Sequence, residues 1–388
     1  MSEIDLDPER QKKAKEYARI SRRLMLVDLA LGAVYLIAWL GMGWSTALKN
    51  SLLGLTHNQW LLVAGFAIGF GIGLNLLTLP LSYYEGFVLP HRFELSNQSL
   101  RGWIGDQIKS LLLGGVLGII VLEIIYAVLR ADPNSWWLWT GVILLVFNVI
   151  LANLGPVLIF PIFYKFSPLG EEYTDLSRRL VRLAERAHTR VRGVYQFDMS
   201  RRTKAANAAL AGLGNTRRII LGDTLLKEFN PDEIETVLAH ELGHHVYKDI
   251  PVGMLINAVL TLGGLYLAAL GLNWGVDYFG FDGVSDIAAL PLLALAMGIY
   301  GLVTMPLSNA YSRWRERRAD EYAIKTTGNG SAYASALTRL ANQNLAEADP
   351  EPWVEFLLYS HPALNRRIAM AQKLATEQTN GQLVQSDP

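Results

Sequence analysis

Residues 235–249 run Glu235-Thr-Val-Leu-Ala-His240-Glu241-Leu-Gly-His244-His245-Val-Tyr-Lys-Asp249. Within them lies His240-Glu241-x-x-His244, two imidazoles four residues apart with a carboxylate beside the first. On an α-helix, positions i and i+4 sit about 40° apart on one face, so both rings can reach one metal ion. Glu241 falls on the adjoining edge, where it can take a proton from water at that metal. A helix start precedes the motif: Asn230 as N-cap, Pro231 in the first turn, then Asp232 and Glu233. Ile234, Val237, Leu238, Glu241 and Leu242 recur at helical spacing. The competing reading is a surface helix that happens to carry two histidines. With only seven His in 388 residues, a zinc hydrolase is the stronger reading.

Composition bounds what surrounds this helix. Hydrophobic residues make up 51% of the chain and charged ones 18%, with a mean hydropathy of +0.22. That points to a membrane protein with a soluble part. The net charge is zero, so nothing favours nucleic acid as a partner. Cysteine is absent, which excludes disulfides and thiolate ligands and leaves His, Asp and Glu to hold a metal. The polar, charged N-terminus argues against a cleavable signal peptide.

Residues 1–23 read as a solvated or interfacial cytoplasmic helix. Apolar segments long enough to cross a bilayer follow at about Leu24–Trp44, Trp60–Leu81, Ser110–Leu129, Trp136–Tyr164, Pro251–Leu272 and Ile287–Leu307. The fourth is overlong, and Pro156 and Pro161 give it reason to tilt, kink or break. Six spans fit best, with seven as the alternative. The N-terminal arm carries seven Lys/Arg; Arg92, Arg101 and Lys109 follow span two, and 165–250 is rich in both residues. The alternate loops hold little beyond Lys49 and Arg130, while 273–286 offers only Asp277, Asp282 and Asp286. Six crossings put every basic segment on one side, so both termini and the histidine motif are expected to be cytoplasmic, at an inner or cell membrane.

The domain plan is therefore 1–23 as the N-terminal helix, 24–164 as spans one to four, 165–250 and 308–376 as two catalytic blocks, 251–307 as a transmembrane hairpin, and 377–388 as a disordered tail. Glu123, Asn75, Asn148, Asn153 and Asn257 lie inside spans, either lining a wet cavity or bonding between helices. In the first block, Thr174–His188 is an amphipathic helix. Val194–Asp198 and Arg218–Leu221 are strands, the second after a turn at 212–215. The stretch 207–210 can form an edge strand open to an added peptide.

A catalytic zinc usually takes three protein ligands. His245 points about 100° away from His244 and is a poor candidate; His361, His188 and carboxylates remain. The best is Glu316, in Ser312-Arg-Trp-Arg-Glu316-Arg-Arg-Ala-Asp320, a helix directly after the last span with Glu316 and Asp320 on one face. Asp320 would then orient a ligand histidine. A solvated juxtamembrane helix is the alternative for this segment on composition alone.

Together, His240-Glu241-x-x-His244 and Ser312-Arg-x-x-Glu316-x-x-Ala-Asp320 resemble the integral membrane zinc metalloproteases that include the type I CaaX prenyl proteases and the HtpX heat-shock proteases. Asn207-Ala208, Arg218-Ile-Ile-Leu-x-Asp223, and His361-Pro-Ala-Leu-Asn-Arg-Arg367 look like further motifs of that family. Tyr84-Glu-Gly-Phe, Phe93 to Asp106 and Pro161 to Leu169 resemble its CaaX protease branch. The resemblance covers about residues 80–370. It implies a polytopic, mostly α membrane protein with a gluzincin-like α+β protease domain. It also implies one Zn²⁺ on His240, His244 and Glu316, Glu241 as general base, Asp320 behind a ligand, His361 and Arg367 at the oxyanion or peptide, and Asn207 and Ala208 on the substrate backbone. The partners implied are a lipid bilayer and a peptide or membrane protein, lipidated or destined for quality control. Three departures stand out: six spans where seven are common, Ala209 where an aromatic is usual, and Pro362-Ala363 in place of Pro-Pro. The competing functions are a catalytically silent scaffold with a vestigial zinc site and a transporter-like protein.

Overall fold

A computed structural model describes residues 5–212 and 217–385. Among the described residues, six helices are long and apolar enough to cross a membrane. The first, α1 (Pro8–Gly41), is capped by Asp7, whose Oδ1 accepts from the N–H groups of Glu9 and Arg10 at 2.9 and 3.1 Å. It continues unbroken from the polar arm into the span. The arm, expected to be solvated or interfacial, has one face docked on the rest of the protein. Ala14 is fully buried in a cluster with Leu89, Phe93, Leu95 and Leu345, and Arg22 pairs with Glu347 at 2.7 Å. Small and long amphipathic side chains on one face let a charged helix dock, with Arg22 covered only where Glu347 pairs with it.

A short helix α2 (Trp44–Leu53) packs back onto α3 (Gln59–Tyr83). α3 extends through a π-helical turn at Tyr84–Val88 to Arg92. Next come α4 (Leu100–Ala131) and α5 (Trp136–Leu154). The overlong fourth span neither stops nor splits at its prolines. It passes through a π-helical segment at Gly155–Ile159 and ends at Phe163, because a π-bulge absorbs the hydrogen bond that a proline removes. Outward-facing Leu112, Val146, Leu255, Val259 and Val303 are exposed, as lipid-facing surfaces must be.

The first soluble block carries a four-stranded sheet of β1 (Phe166–Pro168), β2 (Val194–Phe197), β3 (Ala208–Ala211) and β4 (Arg218–Gly222), in the order β1-β2-β4-β3. The expected strands are present, and β3 is an edge; the expected turn after it lies largely outside the described residues. α6 (Thr174–Arg186) covers the sheet. Leu180, Leu183, Ile219, Leu221 and Leu225 are fully buried together, each contributing roughly 1.5–3 kcal/mol. A short α7 (Asp223–Glu228) leads to α8 (Pro231–Val246), the motif helix, whose start is a complete capping box between Asn230 and Glu233.

α9 (Asp249–Phe279) and α10 (Leu290–Thr327) form the membrane hairpin. α10 carries the helix expected after the last span as its own unbroken continuation. α11 (Gly330–Gln343), α12 (Pro352–Leu358) and α13 (Leu364–Gln385) complete the second block. The tail expected to be disordered from 377 is helical to Gln385, and Gln378 donates to the Ile324 carbonyl at 3.4 Å. Residues 386–388 lie outside the described residues.

The amides inside spans mostly bond within their own helices. Asn75, Asn148 and Asn153 donate to the carbonyls of Gly71, Leu144 and Val149 at 2.8, 2.9 and 2.9 Å, not to a neighbouring helix. Asn148 and Asn257 also flank a cavity of about 440 Å³ between α5 and α9.

Candidate metal centre and active site

α8 and α10 approach closely because Gly243 has no side chain. A Cβ there would stand 3.0 Å from Ala319 Cα and 3.3 Å from Ala319 Cβ. That contact brings the His240 and His244 face of α8 against the Glu316, Ala319 and Asp320 face of α10. His240, His244 and Glu316 each place a ligand atom within 4.8 Å of the others. The Nε2 atoms of the two histidines are 3.3 Å apart. Each stands 3.3 Å from a different Glu316 carboxylate oxygen. His245 is outside the group.

The outer faces of both rings are engaged. His240 Nδ1 lies 2.9 Å from Asp320 Oδ1 and 3.0 Å from the Tyr333 hydroxyl. His244 Nδ1 lies 2.8 Å from Asp249 Oδ2. Asp320 and Asp249 are buried, so each Nδ1 is best satisfied as a donor to a carboxylate. That leaves both Nε2 lone pairs facing inward, toward each other and toward Glu316. Such an array is repulsive without a cation at its centre. Glu316 Oε2, buried without a hydrogen-bond partner among the described residues, faces the same point. Tetrahedral zinc with bonds of about 2.0–2.1 Å needs ligand atoms about 3.3–3.4 Å apart. The donor set and its spacing fit that ion.

The surroundings favour positive charge here. Burial pulls His240 down, but the Asp320 and Glu316 carboxylates beside it outweigh that and lift the imidazole to about 9. Burial likewise works against His244 and is overcome by Glu316 and Asp249. Burial pushes the Glu241 carboxyl up, countered by the two histidines.

Arg367 is buried and forks onto Asp320, Nε to Oδ2 at 2.8 Å and Nη2 to Oδ1 at 2.7 Å, and it also donates to the Tyr333 hydroxyl at 3.1 Å. Its guanidinium is 3.7 Å from Glu316. His361 is mostly exposed, with Nε2 at 3.4 Å from Glu316 Oε1. Arg313 holds the segment before it, donating to the carbonyls of Glu355 and Tyr359 at 2.8 and 2.6 Å. A cavity of about 780 Å³ opens beside the cluster, lined by Asn207, Ala208, Glu241, His361 and Arg367, with Tyr17 and Arg22 of α1 also on its wall. Every site residue expected from the sequence is thus within this one region.

Sequence reasoning missed Asp249 and Tyr333. Asp249 offered a signal: a carboxylate five residues after His244, just past the helix end. Tyr333, in Gly-Ser-Ala-Tyr-Ala, carries no such mark.

Two family models match the chain: "Peptidase family M48" over residues 171–375, and "CAAX prenyl protease N-terminal, five membrane helices" over residues 2–165. Across the latter stretch this chain has four spans and the short α2. Among curated relatives, the uncharacterized metalloprotease YhfN of Bacillus subtilis is 29% identical over 93% of this chain and 85% of its own. CAAX prenyl protease 1 of Saccharomyces cerevisiae is 30% identical over 87% of this chain and 78% of its own. The crystal structure of S. mikatae Ste24p shares the fold, with a TM-score of 0.84 over 95% of this chain and 92% of that one at 24% identity. A peptidase model covering more than half of the chain, joined to a membrane-domain model that covers most of the rest, makes this protein a member of peptidase family M48, a multi-pass membrane metalloendopeptidase.

Proposed function

We propose that the chain is a zinc-dependent endopeptidase that cuts membrane-associated peptides or proteins at the cytoplasmic face. The observation that carries this reading is the inward convergence of two Nε2 atoms and a carboxylate at 3.3 Å spacing, each ring backed by a buried carboxylate. His240, His244 and Glu316 would hold the ion. Zinc, when bound, supplies Lewis acidity toward the scissile carbonyl and acidifies the attacking water.

The remaining steps belong to this chain's own residues. Glu241, beside His240 and open to the cavity, takes the proton from the attacking water and returns it to the leaving amine. Its burial raises the carboxyl's affinity for that proton. Asp320, Asp249 and Tyr333 fix the ring orientations, and Arg367 neutralises Asp320. His361, exposed on the cavity wall, is placed to meet the developing oxyanion or the peptide. Ala208 receives the substrate as a strand added to β3, and the exposed side chain of Asn207 meets it from the neighbouring position.

Two observations support a cytoplasmic site. The basic segments fall on one side of six crossings. In addition, the N-terminal arm bonds to the second block: Asp7 N–H donates to Asn342 Oδ1 at 3.0 Å, and Arg10 Nε donates to the Asn342 carbonyl at 2.6 Å. The eukaryotic relatives are described as CAAX prenyl proteases, so C-terminal peptides of lipidated proteins are one substrate class, and misfolded membrane proteins are the other.

The test compares purified wild type with Glu241→Gln on peptide substrates, with the metal measured in both. The expected result is equal zinc and loss of cleavage in the variant. Retained turnover would remove Glu241 from the mechanism.

A further inference from the structure

The edge strand β3 is closed at one end by a side chain. Gly222 N–H donates to the Asn207 carbonyl at 2.9 Å, and the antiparallel register pairs Ala208 with Leu221, Ala209 with Ile220 and Leu210 with Ile219. In such a ladder, residues 207, 209 and 211 turn their backbone groups toward β4, while 206, 208 and 210 turn theirs away from it. The positions open to an added strand are therefore set by parity. Asn207 itself is not among them: its carbonyl is used inside the sheet, and its exposed side chain is what it can offer.

At Ala206, the first outward position, both groups are taken. Ala206 N–H donates to Asn344 Oδ1 at 2.8 Å, and Asn344 Nδ2 donates back to the Ala206 carbonyl at 3.1 Å. This is the donor–acceptor pair that a neighbouring strand would supply, delivered by one amide. The amide is firmly held. Asn344 ends α11, with its own N–H on the Leu340 carbonyl at 2.9 Å. The next residue, Leu345, is buried at a positive φ of 47°, and Gln343 Nε2 donates to the Lys204 carbonyl at 2.7 Å. The other flank of the segment is pinned as well, by Lys204 N–H on the Leu95 carbonyl at 2.9 Å and by Thr224 Oγ1 on the Ala205 carbonyl at 2.7 Å. The same helix α11 carries Tyr333 against His240, about 16 Å away at 1.5 Å per residue. The strand stop and the candidate metal centre are thus set by one rigid element.

We propose that Asn344 is a specificity-determining residue that ends the docking edge at Ala206. An added peptide strand pairs with Ala208 and Leu210 and must leave the sheet before Ala206, which limits how many substrate residues lie on that side of the scissile bond. The proposal rests on β3 being the substrate-pairing strand, as in the function proposed above.

The test uses the full-length, metal-loaded protein in detergent and a peptide that it cleaves. The peptide's backbone nitrogens are N-methylated one at a time, and a second series is extended at either end. In wild type, two alternate positions should lose roughly tenfold in kcat/KM, the value of one backbone hydrogen bond. The third alternate position, toward Asn344, should tolerate methylation. Asn344→Ala should make that third position sensitive and raise kcat/KM several-fold for peptides extended at that end. A sensitive third position in wild type overturns the proposal, and so does an Asn344→Ala protein with unchanged methylation pattern and length preference. If the variant does not fold, the wild-type scan decides alone. A wild type that cleaves peptides without any alternating sensitivity refutes strand pairing on β3, and this proposal with it, while leaving the metal chemistry standing. A wild type that cleaves no peptide at all refutes the proposed function itself.

Discussion

The two halves of the molecule bury polar groups in opposite ways. Around α8, α10 and α11, charged side chains are buried in a connected network: Asp320 alone touches His240, Tyr333 and Arg367. In the membrane half, the span amides Asn75, Asn148 and Asn153 bond to carbonyls of their own helices. At the far end, Lys49 of α2 reaches the buried Asp286 and the exposed Asp282 at 2.7 Å each. A buried network costs desolvation and is retained where it orients reacting groups. A clamp of three charges between a short helix and a hairpin turn orients nothing reactive and holds two membrane elements together. The contrast assigns chemistry to one half and support to the other, with α10 running unbroken through both.

Four substitutions can break or sharpen that division. Glu241→Gln should cut peptide cleavage by roughly 10²–10⁴-fold with no loss of thermal stability; a variant that is merely unstable would blur the two halves. Lys49→Met should do the reverse. It strands the buried Asp286 carboxylate and should cost about 3 kcal/mol of stability, while kcat of the folded fraction stays at the wild-type value. A fall in kcat at full folding would show that the far end reaches the active site. Asp249→Asn weakens the acceptor behind His244, and a chelator competition should show zinc affinity lowered roughly 10–100-fold, with the wild-type melting curve kept in excess metal. The smallest effect belongs to Asn148→Leu. Its amide bonds only Leu144 of its own helix, so stability should stay within about 0.5 kcal/mol and cleavage should be unchanged; a large loss of cleavage would give the cavity between α5 and α9 a role in the reaction.

The same division explains what was legible in the sequence. The motif helix was readable because its signals are local: the capping box at Asn230, the helical period and the i, i+4 histidines all lie within one short stretch. The spans were readable because hydrocarbon imposes length and composition. Glu316 was recoverable only because cysteine is absent and a second charged helix follows the last span. Contacts between distant segments left no local trace. Tyr333 reaches His240 across 93 positions, Asn344 reaches Ala206 across 138, and the arm carrying Arg22 reaches Glu347 across 325. The arm reads as solvated or interfacial for the same reason, since nothing local names the distant segments that Ala14, Tyr17 and Ile20 meet.

The central claim is that a single zinc ion ties α8 to α10, joining the two soluble blocks across the membrane hairpin. Metal analysis of the purified wild type and Glu316→Ala tests it most directly. The account predicts about one zinc per chain in the wild type and a large loss in the variant; full zinc occupancy in Glu316→Ala, or none in the wild type, would contradict it.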